Sequence, residues 1–135
     1  MIRARGVRWL ALGVGALGLF CIGLSLLFAF RTDALDKAFD KVRVGMTESE
    51  LHRISDFDRL FDQTTDMAGG GVCYKGRCDG GEYSSFGQIF LNRDRVVTRK
   101  SLIRDYVDNC PNRVLVKLHH WLDWREGRDY DIFAF

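Results

Sequence analysis

The sequence predicts an α+β fold tethered by one N-terminal transmembrane helix, and three observations carry that expectation. Residues 9–30 run without a single charge. Apolar residues then recur at helical spacing as far as residue 61. Beyond Gly69-Gly70-Gly71 they fall into short runs bounded by glycines and charged turns, a strand pattern. The chain has 135 residues, and those after the apolar run suffice for one compact domain and no second.

The uncharged run holds 22 residues. As a helix it spans roughly 33 Å, the hydrocarbon thickness of a bilayer. The predicted span is 7–30, with Trp9 at one interface and Phe28, Phe30 and Arg31 at the other. Arg3, Arg5 and Arg8 precede the uncharged run, so residues 1–6 are expected in the cytoplasm and the domain, 31–135, on the far side. A cleaved signal peptide would need a shorter apolar region and a small-x-small site, and Thr32-Asp33-Ala34 is a poor one. Cys21 follows Leu19-Phe20 in mid-span, a poor setting for lipidation. Cys21, Ser25 and Ala29 align small residues at i+4 spacing, which suits helix packing, although a passive anchor is the simpler reading.

Removing Arg3, Arg5 and Arg8 from the 20 basic residues leaves 17 against 18 acidic ones. A near-neutral domain argues against a nucleic-acid binder, which concentrates Lys and Arg to neutralise phosphates.

After a juxtamembrane linker at 31–33, Ala34, Leu35, Ala38, Phe39 and Val42 predict a short amphipathic helix. Val44-Gly45-Met46 interrupts it. Thr47-Glu48-Ser49-Glu50 then has the form of a capping box, in which Thr47 and Glu50 satisfy free backbone donors at a helix start. The second helix continues through Leu51, Ile54, Phe57 or Asp58, and Phe61, fraying near Asp56. Strands are expected at 72–75, 83–91 and 95–106, joined by Cys78-Asp79-Gly80-Gly81 and Asn92-Arg93-Asp94, short enough for a three-stranded antiparallel meander. Pro111 suits the first turn of a further helix with Val114, Leu115, Leu118, Trp121 and Leu122 on one face and Gly127 as its stop. A final strand is read at 130–135.

The segment Val42-Arg43-Val44-Gly45-Met46-Thr47-Glu48-Ser49-Glu50-Leu51 resembles the "GMT-x-x-E-(V/L)" signature of the SmpA/OmlA, or BamE-like, domains of bacterial envelope proteins. Phe90-Leu91-Asn92-Arg93-Asp94-Arg95-Val96-Val97 resembles that family's strand-turn-strand segment. The resemblance covers residues 34–106. It implies two helices packed on a three-stranded antiparallel sheet, and a non-enzymatic module that binds other envelope proteins. A transmembrane helix would here replace the family's lipid anchor.

Three cysteines, Cys73, Cys78 and Cys110, fall in the domain, where an oxidising compartment favours a disulfide. Cys73 and Cys78 can face one another across Tyr74-Lys75-Gly76-Arg77, or one of them can bridge to Cys110; spacing leaves the choice open. The C-x4-C spacing does not suit a zinc knuckle, so no metal is expected. His119 and His120 are adjacent, hence unable to share one helix face as ligands, and are read as surface or edge residues. His52 lies four residues after Glu48, an ordinary i,i+4 pair. No nucleophile elbow and no activated cysteine is recognisable, so no catalytic residue and no cofactor are expected. Asp56, Asp58, Asp62 and Asp66 lack the calcium-loop spacing and read as a solvated acidic face. Trp121, Trp124, Tyr130, Phe133 and Phe135 form a dense aromatic group. Most should be core, with Trp124, Phe133 and Tyr130 as candidates for a partner-binding surface.

Two functions follow as expectations. The first is an inner-membrane, periplasm-facing protein-binding module with an assembly or scaffolding role. The alternative is an immunity or inhibitor protein that occupies the active site of a periplasmic toxin enzyme.

Overall fold

A computed structural model describes residues 2–29 and 32–133. Two units emerge, residues 1–31 and 32–135. The first is helix α1, Ile2–Ala29, which starts earlier than the predicted span because the arginines ahead of the apolar run extend the helix. Its apolar stretch Ala4–Leu24 is long and apolar enough to cross a membrane. Phe30 and Arg31, read as the outer flank, lie outside the described residues, as does Phe135.

The second unit is mixed α and β. Its elements are α2 (Ala34–Lys41), α3 (Glu48–His52), α4 (Phe57–Leu60), β1 (Gln63–Asp66), β2 (Val72–Asp79), β3 (Tyr83–Leu91), β4 (Val97–Val107), α5 (Cys110–Leu122) and β5 (Arg128–Phe133). The expected meander is therefore corrected to a five-stranded mixed sheet in the order β1-β2-β3-β4-β5. Neighbours are antiparallel except β4 and β5, which are parallel. A parallel return needs a crossover, and α5 supplies it.

Two strands differ from the expectation for local reasons. β1, Gln-Thr-Thr-Asp, is exposed throughout and carries no apolar alternation, so nothing in its pattern announced a strand. β2 runs on past Lys75 because Gly76 is a packing position rather than a turn. A Cβ there would lie 2.5 Å from the Leu60 carbonyl oxygen, and one on its cross-strand neighbour Gly87 would lie 2.8 Å from the Phe61 ring. These two glycines let the end of α4 sit directly on the sheet.

The second predicted helix is two short ones. Asp56 takes a left-handed conformation, φ +63°, which breaks the helix between α3 and α4. Helices α2, α3 and α4 then deliver Leu35, Phe39, Leu51, Phe57 and Phe61 onto Val72, Tyr74, Ile89, Leu91 and Leu102, forming the main core. Phe57 and Phe61 stack at 4.9 Å. A second cluster, Tyr106, Val116 and Tyr130 with Tyr83, Leu115 and Ile132, lies under α5. Tyr83, Tyr106 and Ile132 are register partners, and Tyr106 shares its side of β4 with Leu102, so both clusters occupy the same face of the sheet.

Between them runs an ionic seam. Asp33 caps α2 by accepting the Asp36 backbone N–H at 2.7 Å, and its other carboxylate oxygen accepts the Ser85 hydroxyl. Asp36, fully buried, accepts hydrogen bonds from both Arg104 and Arg128. Arg128 also reaches Asp40 at 2.7 Å. One turn-spaced acidic row on α2 is thus fastened to β4 and β5.

Candidate functional site

The helix-start residues Gly45, Met46, Thr47 and Glu50 form a strap. Gly45 has φ +94°, a conformation that favours glycine. Its N–H donates to the Val97 carbonyl at 2.8 Å, Val97 N–H donates to the Met46 carbonyl, and Glu48 N–H donates to the Arg95 carbonyl. Thr47 and Glu50 cap each other's backbone, with Glu50 accepting the Thr47 N–H at 2.7 Å. The segment holds the β3–β4 connection against α3.

Beside it lies a polar relay. The Tyr74 hydroxyl donates to Glu48 at 2.5 Å and sits 3.3 Å from His52 Nε2, while His52 Nδ1 pairs with Asp58. Burial, reinforced by Glu48, pushes the Tyr74 hydroxyl up to about 12. An Asp-His pair can serve as a general base, but only when the distal nitrogen meets a nucleophile or substrate. Here Nε2 meets a tyrosine that holds its proton tightly, and Ser49 is bonded to Thr47 instead. The relay ties α3 to β2. Glu48 and His52 face the same tyrosine rather than each other, and Asp58 leaves the acidic series to orient the imidazole.

The cysteines are not bridged: Cys73, Cys78 and Cys110 are all free thiols. Cys73 and Cys78 lie five residues apart on β2, roughly 16 Å at strand rise, more than twice the reach of a disulfide. The turn that would have brought them together does not exist. Cys110 opens α5, beyond the far end of β4. Burial raises the pKa of both Cys73 and Cys78, which keeps them protonated and poorly nucleophilic. Among the described residues, no three metal-ligating side chains converge.

The aromatic group divides. Tyr130 is corrected from a partner contact to core: it is 3% exposed, stacks on His119 at 4.1 Å and donates its hydroxyl to Asp123. His119, read from the sequence as surface or edge, is likewise buried, with Nε2 3.2 Å from the Tyr106 hydroxyl. These polar contacts, together with Asn112 donating to the Val107 carbonyl, turn α5 so that Asn112, Val116 and His119 face the sheet. The predicted apolar face is therefore split. Leu115 and Leu122 are half-buried, while Val114 and Trp121 are 56% and 75% exposed. Val114, Leu118 and Trp121 follow i, i+4, i+7 spacing along one ridge. Trp124, just past the helix, is 86% exposed, and Phe133 on β5 is 53% exposed.

No family model, no curated protein and no solved structure matches this chain. The reading of function rests on the site itself.

Proposed function

We propose that this chain is a membrane-anchored protein-binding module of the bacterial envelope, with an assembly or scaffolding role. The observation that carries the reading is the exposure of Trp121 and Trp124 beside Val114 and Leu118. Tryptophan is enriched among residues that dominate binding energy, and contiguous exposed apolar surface marks interaction sites. Helix α1 supports the membrane anchor. The arginines before it favour a cytoplasmic N-terminus and a periplasmic domain. The SmpA/OmlA-like helix start agrees with an envelope role.

The test is site-specific photo-crosslinking in living cells, with the photoreactive residue at 121, at 124 and, as control, at the exposed Glu82. The expected result is a discrete protein adduct from 121 and 124 that Glu82 does not give, and that Trp121→Ala abolishes from position 124. Both tryptophans are exposed, so their alanine variants should keep folding stability within about 0.5 kcal/mol. Equal labelling at all three positions, or no protein adduct, overturns the reading. An adduct with a secreted enzyme would place the chain among inhibitors instead. A C-terminal alkaline phosphatase fusion that stays inactive would overturn the topology.

A further inference from the structure

All four helices of the domain lie on one face of the sheet, which leaves the other face open. Antiparallel sheets with one solvated face alternate apolar-in with polar-out. Here the outward positions break that rule. Phe86 and Ile103 are direct register partners on β3 and β4, each more than a third exposed, and Phe133 faces the same way beside Val107. Phe90 lies four register rows from Phe86 on the same side of β3, under the guanidinium of Arg99 at 4.2 Å.

The charges on this face are separated by sign. At one end are Lys75 on β2 and Arg99 on β4, neither in an ion pair among the described residues. At the other end Asp105 on β4 stands directly opposite Asp131 on β5, with Asp129 two residues away. No cation among the described residues pairs with Asp105 or Asp131. Arg77, in the row of Phe86 and Ile103, and Asp79, in the row of Asp105, neutralise each other at 3.0 Å. Like charges placed opposite one another across strands destabilise a sheet. Asp129 has only the His120 imidazole, 4.0 Å away, so the acidic end is short of cations, and the basic end has no paired anion among the described residues.

A surface that carries both signs at opposite ends is complementary to itself turned end for end, the requirement for an isologous two-fold interface. We infer that two copies of this chain associate through their open sheet faces, Lys75 and Arg99 of each lying over Asp105 and Asp131 of the other, with Phe86, Ile103 and Phe133 buried between them. The two sheets form a sandwich with its layers about 10 Å apart. The face measures roughly 600 Å² in projection from strand spacing and rise. A standard stable interface buries about 800 Å² on each partner, so the association is of moderate strength and depends on its charges.

The ridge on α5 points away from this face and plays no part, so this inference and the proposed function fail separately. The experiment is light-scattering mass determination on the full chain in mild detergent, over a range of protein concentration. A dimer is expected at about 0.1 M salt that weakens at about 1 M, where the Debye length shrinks from roughly 10 Å to 3 Å. Arg99→Glu or Asp105→Lys alone should weaken it by at least about tenfold, since each sets like charges in apposition. The Arg99→Glu/Asp105→Lys pair should restore it. Circular dichroism melts report folding; should a charge reversal unfold the domain, Phe133→Ser and the salt dependence of the unaltered chain decide instead. A chain monomeric at every concentration overturns the inference. So does a dimer that both single reversals leave intact, which would place the contact in α1, and so does a double variant no better than the singles.

Discussion

Beneath α2, α3 and α4 the sheet meets Phe39, Leu51, Phe57 and Phe61, whereas beneath α5 it meets Asn112, Val116 and His119. The first contact is apolar and gains its stability from surface removed from water, which has no direction. The second is assembled from hydrogen bonds and stacked rings, as is the neighbouring seam in which Asp36 receives Arg104 and Arg128. Directional contacts choose one rotation of a helix; apolar ones tolerate several. That difference explains why α2 buries the face its periodicity announces, while α5 is turned to bury a polar stripe and leave Val114 and Trp121 outside.

The largest expected effect comes from the seam. Asp36→Ala leaves two buried guanidinium groups without their shared acceptor, and such broken buried pairs cost about 3–5 kcal/mol. Asp33 lies 3.6 Å from Arg104 and Asp40 lies 2.7 Å from Arg128, so the loss should fall at the low end. Urea denaturation followed by tryptophan fluorescence measures it. A loss under 1 kcal/mol would show that the seam is solvated and that the two halves do not differ as described.

Next comes the apolar half. Gly87→Ala drives a methyl group into the Phe61 ring, 2.8 Å away, and overpacking of this kind costs about 1–3 kcal/mol. Phe61→Leu in the same chain should recover part of the loss by vacating the space. Failure of that rescue would mean the glycine matters for strand conformation and not for the close approach of α4.

The smallest effect is a pH dependence within the hydrogen-bonded half. Burial, then the hydrogen bond to Asp123, pushes the Tyr130 hydroxyl up to about 12 from its ordinary 10. A group whose pKa is raised on folding contributes stability that is whole below its unfolded pKa and is lost as pH rises through the folded one. The hydrogen-bonded half should therefore weaken between pH 10 and 12. Tyr130→Phe should flatten that decline relative to the unaltered chain when urea midpoints are compared across the interval. Identical slopes would show that Tyr130 does not carry the alkaline loss.

Much of the fold was legible in the chain. Helix α1 followed from an uncharged run of bilayer length, the start of α3 from Thr47 and Glu50, and β3 from its alternation between two turns. Each of these is decided by interactions within a few residues or by bulk transfer to an apolar medium, and both leave a pattern in the sequence. What was illegible depended on partners distant in the chain. β1 is a strand because β2 offers it a hydrogen-bonding edge, not because its four polar residues prefer one. Gly76 reads as a turn until the Leu60 carbonyl is placed over it, and without that turn Cys73 and Cys78 have no route to each other. Tyr130 and His119 look like surface residues until they stack, and Trp121 looks like core until they do. By itself the sequence determined that an apolar helix leads a single mixed domain with a capped helix near its start. Only the tertiary structure decided which aromatics are buried and which side of the sheet stays open, because a polar side chain goes inside only where another part of the chain supplies its partner.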